Sequence, residues 1–203
     1  DSQIVLIPAV AVETAARSLA EATRRSLIAA ENKIASKLPG ANGKGADSDQ
    51  EILRLLSEID EIRNFVAMIR TDSPESAENY IHILHALDHL DRMIRLVRTN
   101  MSEVSFTGSA GAVHNIVADL RQAISSTAAA LEQGNLPGVV EELSAFSQQL
   151  AAFRRQERAS VFDVTATGDV PLNDAFKYVQ LVLLIDGIAY HMWRLAHHLS
   201  SLK

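Results

Sequence analysis

The sequence predicts an all-α fold built of two tandem three-helix-bundle repeats with six main helices, and three observations carry that prediction. Alanine and leucine abound while aromatics make up 5% of the chain, and the 5 prolines fall mostly near helix boundaries, a composition that favours helix. Apolar residues recur at helical spacing through the segments that lack Gly and Pro. One segment also occurs twice, 98 residues apart: Tyr80 to Arg98 (YIHILHALDHLDRMIRLVR) and Tyr178 to Ala196 (YVQLVLLIDGIAYHMWRLA). Tyr80 matches Tyr178, Asp88 matches Asp186, and Ile81, Ile83, Leu84, Leu87, Leu90 and Ile94 meet Val179, Leu181, Val182, Ile185, Ile188 and Met192. A duplication of this length implies two copies of one supersecondary module.

The elements follow in order. Ala9 to Lys37 contains neither Pro nor Gly and reads as helix one, with Leu19, Leu27 and Ile34 on a face otherwise rich in alanine. Pro39 to Ser48 (PGANGKGADS) has the composition of a flexible linker. Helix two is expected to start from an N-cap at Ser48 or Asp49, and Ile52, Leu55, Leu56, Ile59, Ile62, Val66 and Ile69 keep its period. Thr71 to Ser73 forms a tight connection, Pro74 sits in the first turn of helix three, and that helix runs to about Asn100. Met101 to Gly111 joins the halves, giving repeat one at 9–100 and repeat two at 112–203 within a single domain. Helix four spans Ala112 to Gln133, and Gly134 and Asn135 stop it. Helix five is expected from Pro137 to about Arg158, a longer second loop from Thr165 to Pro171, and helix six from a cap at Asn173 to the end. With Phe65 set against Phe153, the second copy carries about ten extra residues, which this reading assigns to the loop.

Charge and composition exclude several function classes. A net charge of -6 spread along the chain makes nucleic acid an unexpected partner. The absence of cysteine removes disulfides, thiolate metal sites and cysteine nucleophiles, and fits a reducing compartment. The most hydrophobic window, Val179 to Trp193, is interrupted by Gln180, Asp186 and His191 and reads as a buried core helix, not a membrane span. Because the chain begins at Asp1 without an initiator Met, it is read as a piece of a longer protein. Gly40-Ala41-Asn42-Gly43-Lys44-Gly45 lacks the preceding strand and the GK[ST] ending of a phosphate loop, and no nucleophile elbow or HExxH pattern occurs, so no enzymatic activity is expected.

The repeated segment carries a resemblance. Leu87-Asp88-His89-Leu90-Asp91-Arg92 and Ile185-Asp186-Gly187-Ile188-Ala189-Tyr190-His191 occupy the frames of the LERIGD-like sequence in the third helix of each PhoU repeat, matching its acid and apolar positions but not its final Asp. The chain thus resembles the PhoU family. More specifically it is similar to the PhoU-like domain at the C-terminus of bacterial sodium-dependent phosphate cotransporters, whose lead-in from the last membrane span resembles Ile4 to Pro8 and the Ala9-Val10-Ala11-Val12-Glu13 start. That resemblance implies a non-catalytic regulatory or interaction domain at the cytoplasmic face of the bacterial inner membrane. It implies as partners the transmembrane part of the same transporter, a second copy of the domain, or a phosphate-signalling protein. The alternative it implies is a free-standing metal-binding bundle that regulates phosphate uptake.

The family's metal chemistry, a divalent metal or iron cluster held by an acid at i and Asp at i+4 of the third helix with carboxylates from the second, would fall here on Asp60, Asp88 and Asp186. Two carboxylates four residues apart share a helix face. In this chain, however, position i+4 holds Arg92 in copy one and Tyr190 in copy two. Glu58, Asp60 and Glu61 of helix two have no acidic counterpart in Ser147 to Phe153. No cofactor is therefore expected. A different set, His82, His85 and His89 at i, i+3 and i+7, falls within about 60° on the helical wheel, and imidazoles so placed suit zinc or nickel. Copy two has Gln180, Leu183 and Gly187 there, and a solvated histidine stripe is the expected arrangement. His197 and His198 suit the helix C-terminus, and Trp193 is expected to pack or meet a partner.

Overall fold

Six helices follow one another in the computed structural model, which describes residues 8–38, 45–71, 73–100 and 111–202. They are α1 (Pro8–Ala35), α2 (Gly45–Met68), α3 (Pro74–Asn100), α4 (Gly111–Gln133), α5 (Pro137–Ala166) and α6 (Leu172–Ser200). No strand occurs among the described residues. Helix α1 packs on α2 and α3, α5 packs along α6, and the two halves join broadly through their equivalent helices, α1 against α4 and α3 against α6, with α4 lying against α1 more than against α5 or α6. The linker read over Pro39–Ser48 lies largely outside the described residues. So do the Met101–Gly111 connection and the Asp1–Ile7 lead-in.

The apolar periodicity becomes the core. Leu19, Leu27 and Ile34 of α1, Ile52, Leu55 and Ile59 of α2, and Ile83, Leu90, Met93 and Ile94 of α3 are essentially inaccessible. The alanine face of α1, including Ala15, Ala22 and Ala30, is buried too, as expected where small side chains let helices approach closely. Polar cross-links flank this core. Lys33 of α1 reaches Asp49 of α2 at 2.6 Å, and Arg25 spans Glu51 and Glu58 at 2.9 and 2.7 Å. Arg121 of α4 meets Glu31 of α1 at 2.6 Å across the repeat junction.

The helix ends explain both the agreements and the corrections. Ser73 caps α3, its hydroxyl accepting from the Ser76 N–H at 3.1 Å, and Pro74 takes the first position, where a missing N–H is harmless. Gly134, with φ 68°, ends α4 in a Schellman motif: its N–H bonds the Leu131 carbonyl and the Asn135 N–H bonds that of Ala130. Helix α2 begins at Gly45, before the expected cap at Ser48 or Asp49, and Asp49 uses its carboxylate on Lys33 instead. Helix α5 does not stop near Arg158 but continues to Ala166. It ends in a second Schellman motif at Gly168 (φ 84°), with Gly168 N–H on Thr165 and Asp169 N–H on Val164. The extra residues of copy two therefore lie in helix, not loop. Residues 69–73 and 167–171 leave five residues in each connection, so the second is no longer than the first. Helix α6 starts at Leu172 from Pro171 as N-cap, which places Asn173 inside the first turn, and α1 closes at Ala35 ahead of the expected Lys37.

Candidate functional site

The two copies of the repeated segment run antiparallel against each other, and this brings their histidines together. His82 Nδ1 lies 3.2 Å from His198 Nδ1, and His89 Nδ1 lies 3.0 Å from His191 Nδ1. His85 stacks on His198 with centroids 4.9 Å apart and planes at 20°, and His89 stacks on the same ring at 5.9 Å and 12°. Five imidazoles, three from repeat one and two from repeat two, thus form a seam between α3 and α6. Gly187 supports the close approach, since a Cβ there would meet Leu96 Cδ1 at 3.1 Å.

The expected solvated stripe holds only for His85, which is exposed; His82 and His89 are half-buried and His198 is buried. The reason is tertiary, because the histidine edge of α3 faces α6 rather than water. Burial also sets their charge state. It holds His89 down at about 4, helped by the neighbouring His191, Arg194 and Arg92 and opposed by Asp88. His198 is likewise held at about 4, first by burial and then by Arg194, His85, His197 and His82. His191 is lowered by burial and by Arg92, against the pull of Asp88. Near neutral pH His89, His191 and His198 are therefore uncharged, and the His89–His191 contact joins a ring N–H to a ring lone pair.

The three candidate carboxylates are not brought together. Each is engaged by an arginine: Asp60 by Arg63 on its own helix, Asp88 by Arg92 at 2.9 Å, and Asp186 by Arg154 of α5 at 2.6 Å. The Asp88–Arg92 pair is the i,i+4 contact expected from spacing. The Arg154 contact is not legible from local spacing, and it meets a carboxylate that is buried and whose pKa burial raises against the pull of Arg154 and Arg155. A carboxylate already holding a guanidinium is a poor cation ligand. Among the described residues no group of three or more His, Asp or Glu side chains is placed so that it could hold a metal ion.

Trp193 is half-buried, edge-on to Tyr190 at 6.0 Å, with the Arg194 guanidinium 5.4 Å from its ring. Tyr178, the second member of the repeated tyrosine pair, donates its hydroxyl to Glu157 of α5, and burial raises its pKa. His191 and His198 are the functional candidates that sequence reasoning did not pair. A signal existed: they are seven residues apart on α6, as His82 and His89 are on α3, and two such rows match only when the helices run antiparallel. No helix among the described residues is long and apolar enough to cross a membrane. Compared with protein-family models, curated proteins and solved structures, the chain has no match.

Proposed function

We propose that this chain is a non-catalytic regulatory domain of a sodium-dependent phosphate cotransporter, of the PhoU-like kind, acting at the cytoplasmic face of the membrane by docking on the transporter's transmembrane part. The reading rests first on the LERIGD-like frames at Leu87 to Arg92 and Ile185 to His191. One geometrical observation supports it most: Phe176, Leu183 and Tyr190 recur every seven residues along α6 and remain exposed although large and apolar. Leu172 extends the exposed set at the start of that helix. A stripe of that period is what a partner helix packs against. The free-standing metal-binding alternative is less favoured, because Asp60, Asp88 and Asp186 are each occupied by an arginine.

The test uses the complete gene product reconstituted in vesicles, with sodium-dependent uptake of inorganic phosphate as the readout. Phe176→Asp combined with Leu183→Asp is expected to change the uptake rate several-fold while circular dichroism and melting of the domain stay unchanged. A gene product that moves no phosphate on a sodium gradient would overturn the transporter assignment. Uptake identical in the double variant would overturn the docking role.

A further inference from the structure

We infer that the seam between α3 and α6 is a binding site for a borderline divalent transition metal, of the Zn²⁺, Ni²⁺ or Cu²⁺ class, seated on the Nδ1 atoms of His89 and His191. Imidazole nitrogens bind such ions at about 2.0 to 2.1 Å, so two nitrogens on one ion lie about 3.3 Å apart at a tetrahedral angle and about 2.9 Å apart at a right angle. The two Nδ1···Nδ1 separations, 3.0 and 3.2 Å, fall between those edges.

Of the two pairs, His89–His191 is the better chelate. His198 Nε2 faces Arg194 Nη2 at 3.4 Å, so a metal on His198 Nδ1, which requires the proton on Nε2, would set N–H against N–H. Among the described residues no such conflict is present at His89 or His191, whose rings contact each other and Tyr190, with His89 also stacked on His198. In the metal-free seam one of the two rings donates from Nδ1. Binding moves that proton to Nε2 of the same ring, a tautomer change with no net proton release. Asp88 adds a favourable charge, whereas Arg92 and Arg194 oppose a cation, which points to modest affinity. The imidazole donors select borderline ions over hard ones such as Mg²⁺. His89 belongs to repeat one and His191 to repeat two, so an ion held by both ties the two repeats together.

Chelator-stripped protein is titrated with ZnCl₂, NiCl₂, CuCl₂ and MgCl₂ by calorimetry, and the histidine ring nitrogens are followed by ¹⁵N NMR. Saturable binding of at least one of the first three ions is expected, with Nδ1 of His89 and His191 losing any proton and shifting as ligands, and Mg²⁺ inert. His89→Gln and His191→Gln should each weaken binding at least ~10-fold. His114→Gln, a change at an exposed histidine on α4, should leave it unchanged. No saturable binding, binding carried by His114, or NMR shifts confined to other histidines would overturn the site. The wild-type NMR readout decides the question even where a glutamine variant folds poorly.

Discussion

Helices α3 and α6 share a frame of six apolar positions and one acid, yet the bundle gives the two copies different surroundings. Leu87 and Ile185, Leu90 and Ile188, and Ile94 and Met192 are buried alike. Leu84 is exposed whereas its match Val182 is buried, and the Asp88 side chain is 52% exposed against 11% for Asp186. The cause is α5, which lies along α6 through its extended length, while α2 touches α3 over a shorter stretch. The duplication keeps the core frame of a helix, while its second face is set by whichever neighbour reaches it.

The shared core offers the largest effect through which to break that comparison. Leu90→Ala and Ile188→Ala truncate matched, fully buried side chains, and each is expected to lower stability by about 3 kcal/mol in urea unfolding. A large gap between the two would end the equivalence of the copies. The acids should separate the copies instead. Removing Arg154 strands a buried carboxylate, so Arg154→Ala is expected to destabilise by about 2 kcal/mol. Arg92→Ala frees only an exposed one, and a change below about 0.5 kcal/mol is expected. Equal effects in the same urea assay would show that burial of Asp186 does not matter.

A pH series on metal-free protein sharpens the contrast between the seam and the rest of the bundle. His89 and His198 have folded values near 4 against an ordinary 6.5. Between those values the unfolded chain binds protons that the folded chain does not, so their contribution to stability is complete above about 6.5 and is lost as pH falls towards 4. The groups facing them are Asp88, Arg92, Arg194, His197 and the other seam histidines. The melting temperature should fall by about 5 °C or more across the window, and His89→Gln should make the profile shallower. A wild-type profile that is flat, or a variant as steep as wild type, would contradict the burial argument. The smallest effect belongs to Gly187. Alanine there gains up to about 1 kcal/mol of helix propensity, but its Cβ presses on the movable end of Leu96 at 3.1 Å. The net change is expected to stay within about 1 kcal/mol, read from the same unfolding curves.

Much of the fold was legible because its signals are local. The period of α2, the Ser73-Pro74 start of α3 and the Gly134 stop of α4 each act within a few residues. The end of α5 was not, since Arg154 to Ala166 is polar and weakly periodic. Arg154 and Glu157 there find their partners on α6, at Asp186 and Tyr178, and the stop signal is Gly168. The start of α2 was misplaced for a related reason: Asp49 resembles a cap, but Lys33 claims its carboxylate. At the candidate site, the α3 row His82, His85 and His89 stood out by spacing alone. Its partners lie 102 and 116 residues away and became visible only when the helices met.

Helical character, the repeat of core positions and the Arg92 beside Asp88 were all written along the chain, because backbone propensity, apolar period and i,i+4 geometry act within a single helix. The antiparallel run of α3 against α6, the burial of Asp186 under Arg154 and the gathering of five histidines in one seam arose only from packing between helices. Those outcomes depend on which helix faces close on each other, and burial, which governs both the neutrality of His89, His191 and His198 and the worth of an ion pair, exists only after they have closed.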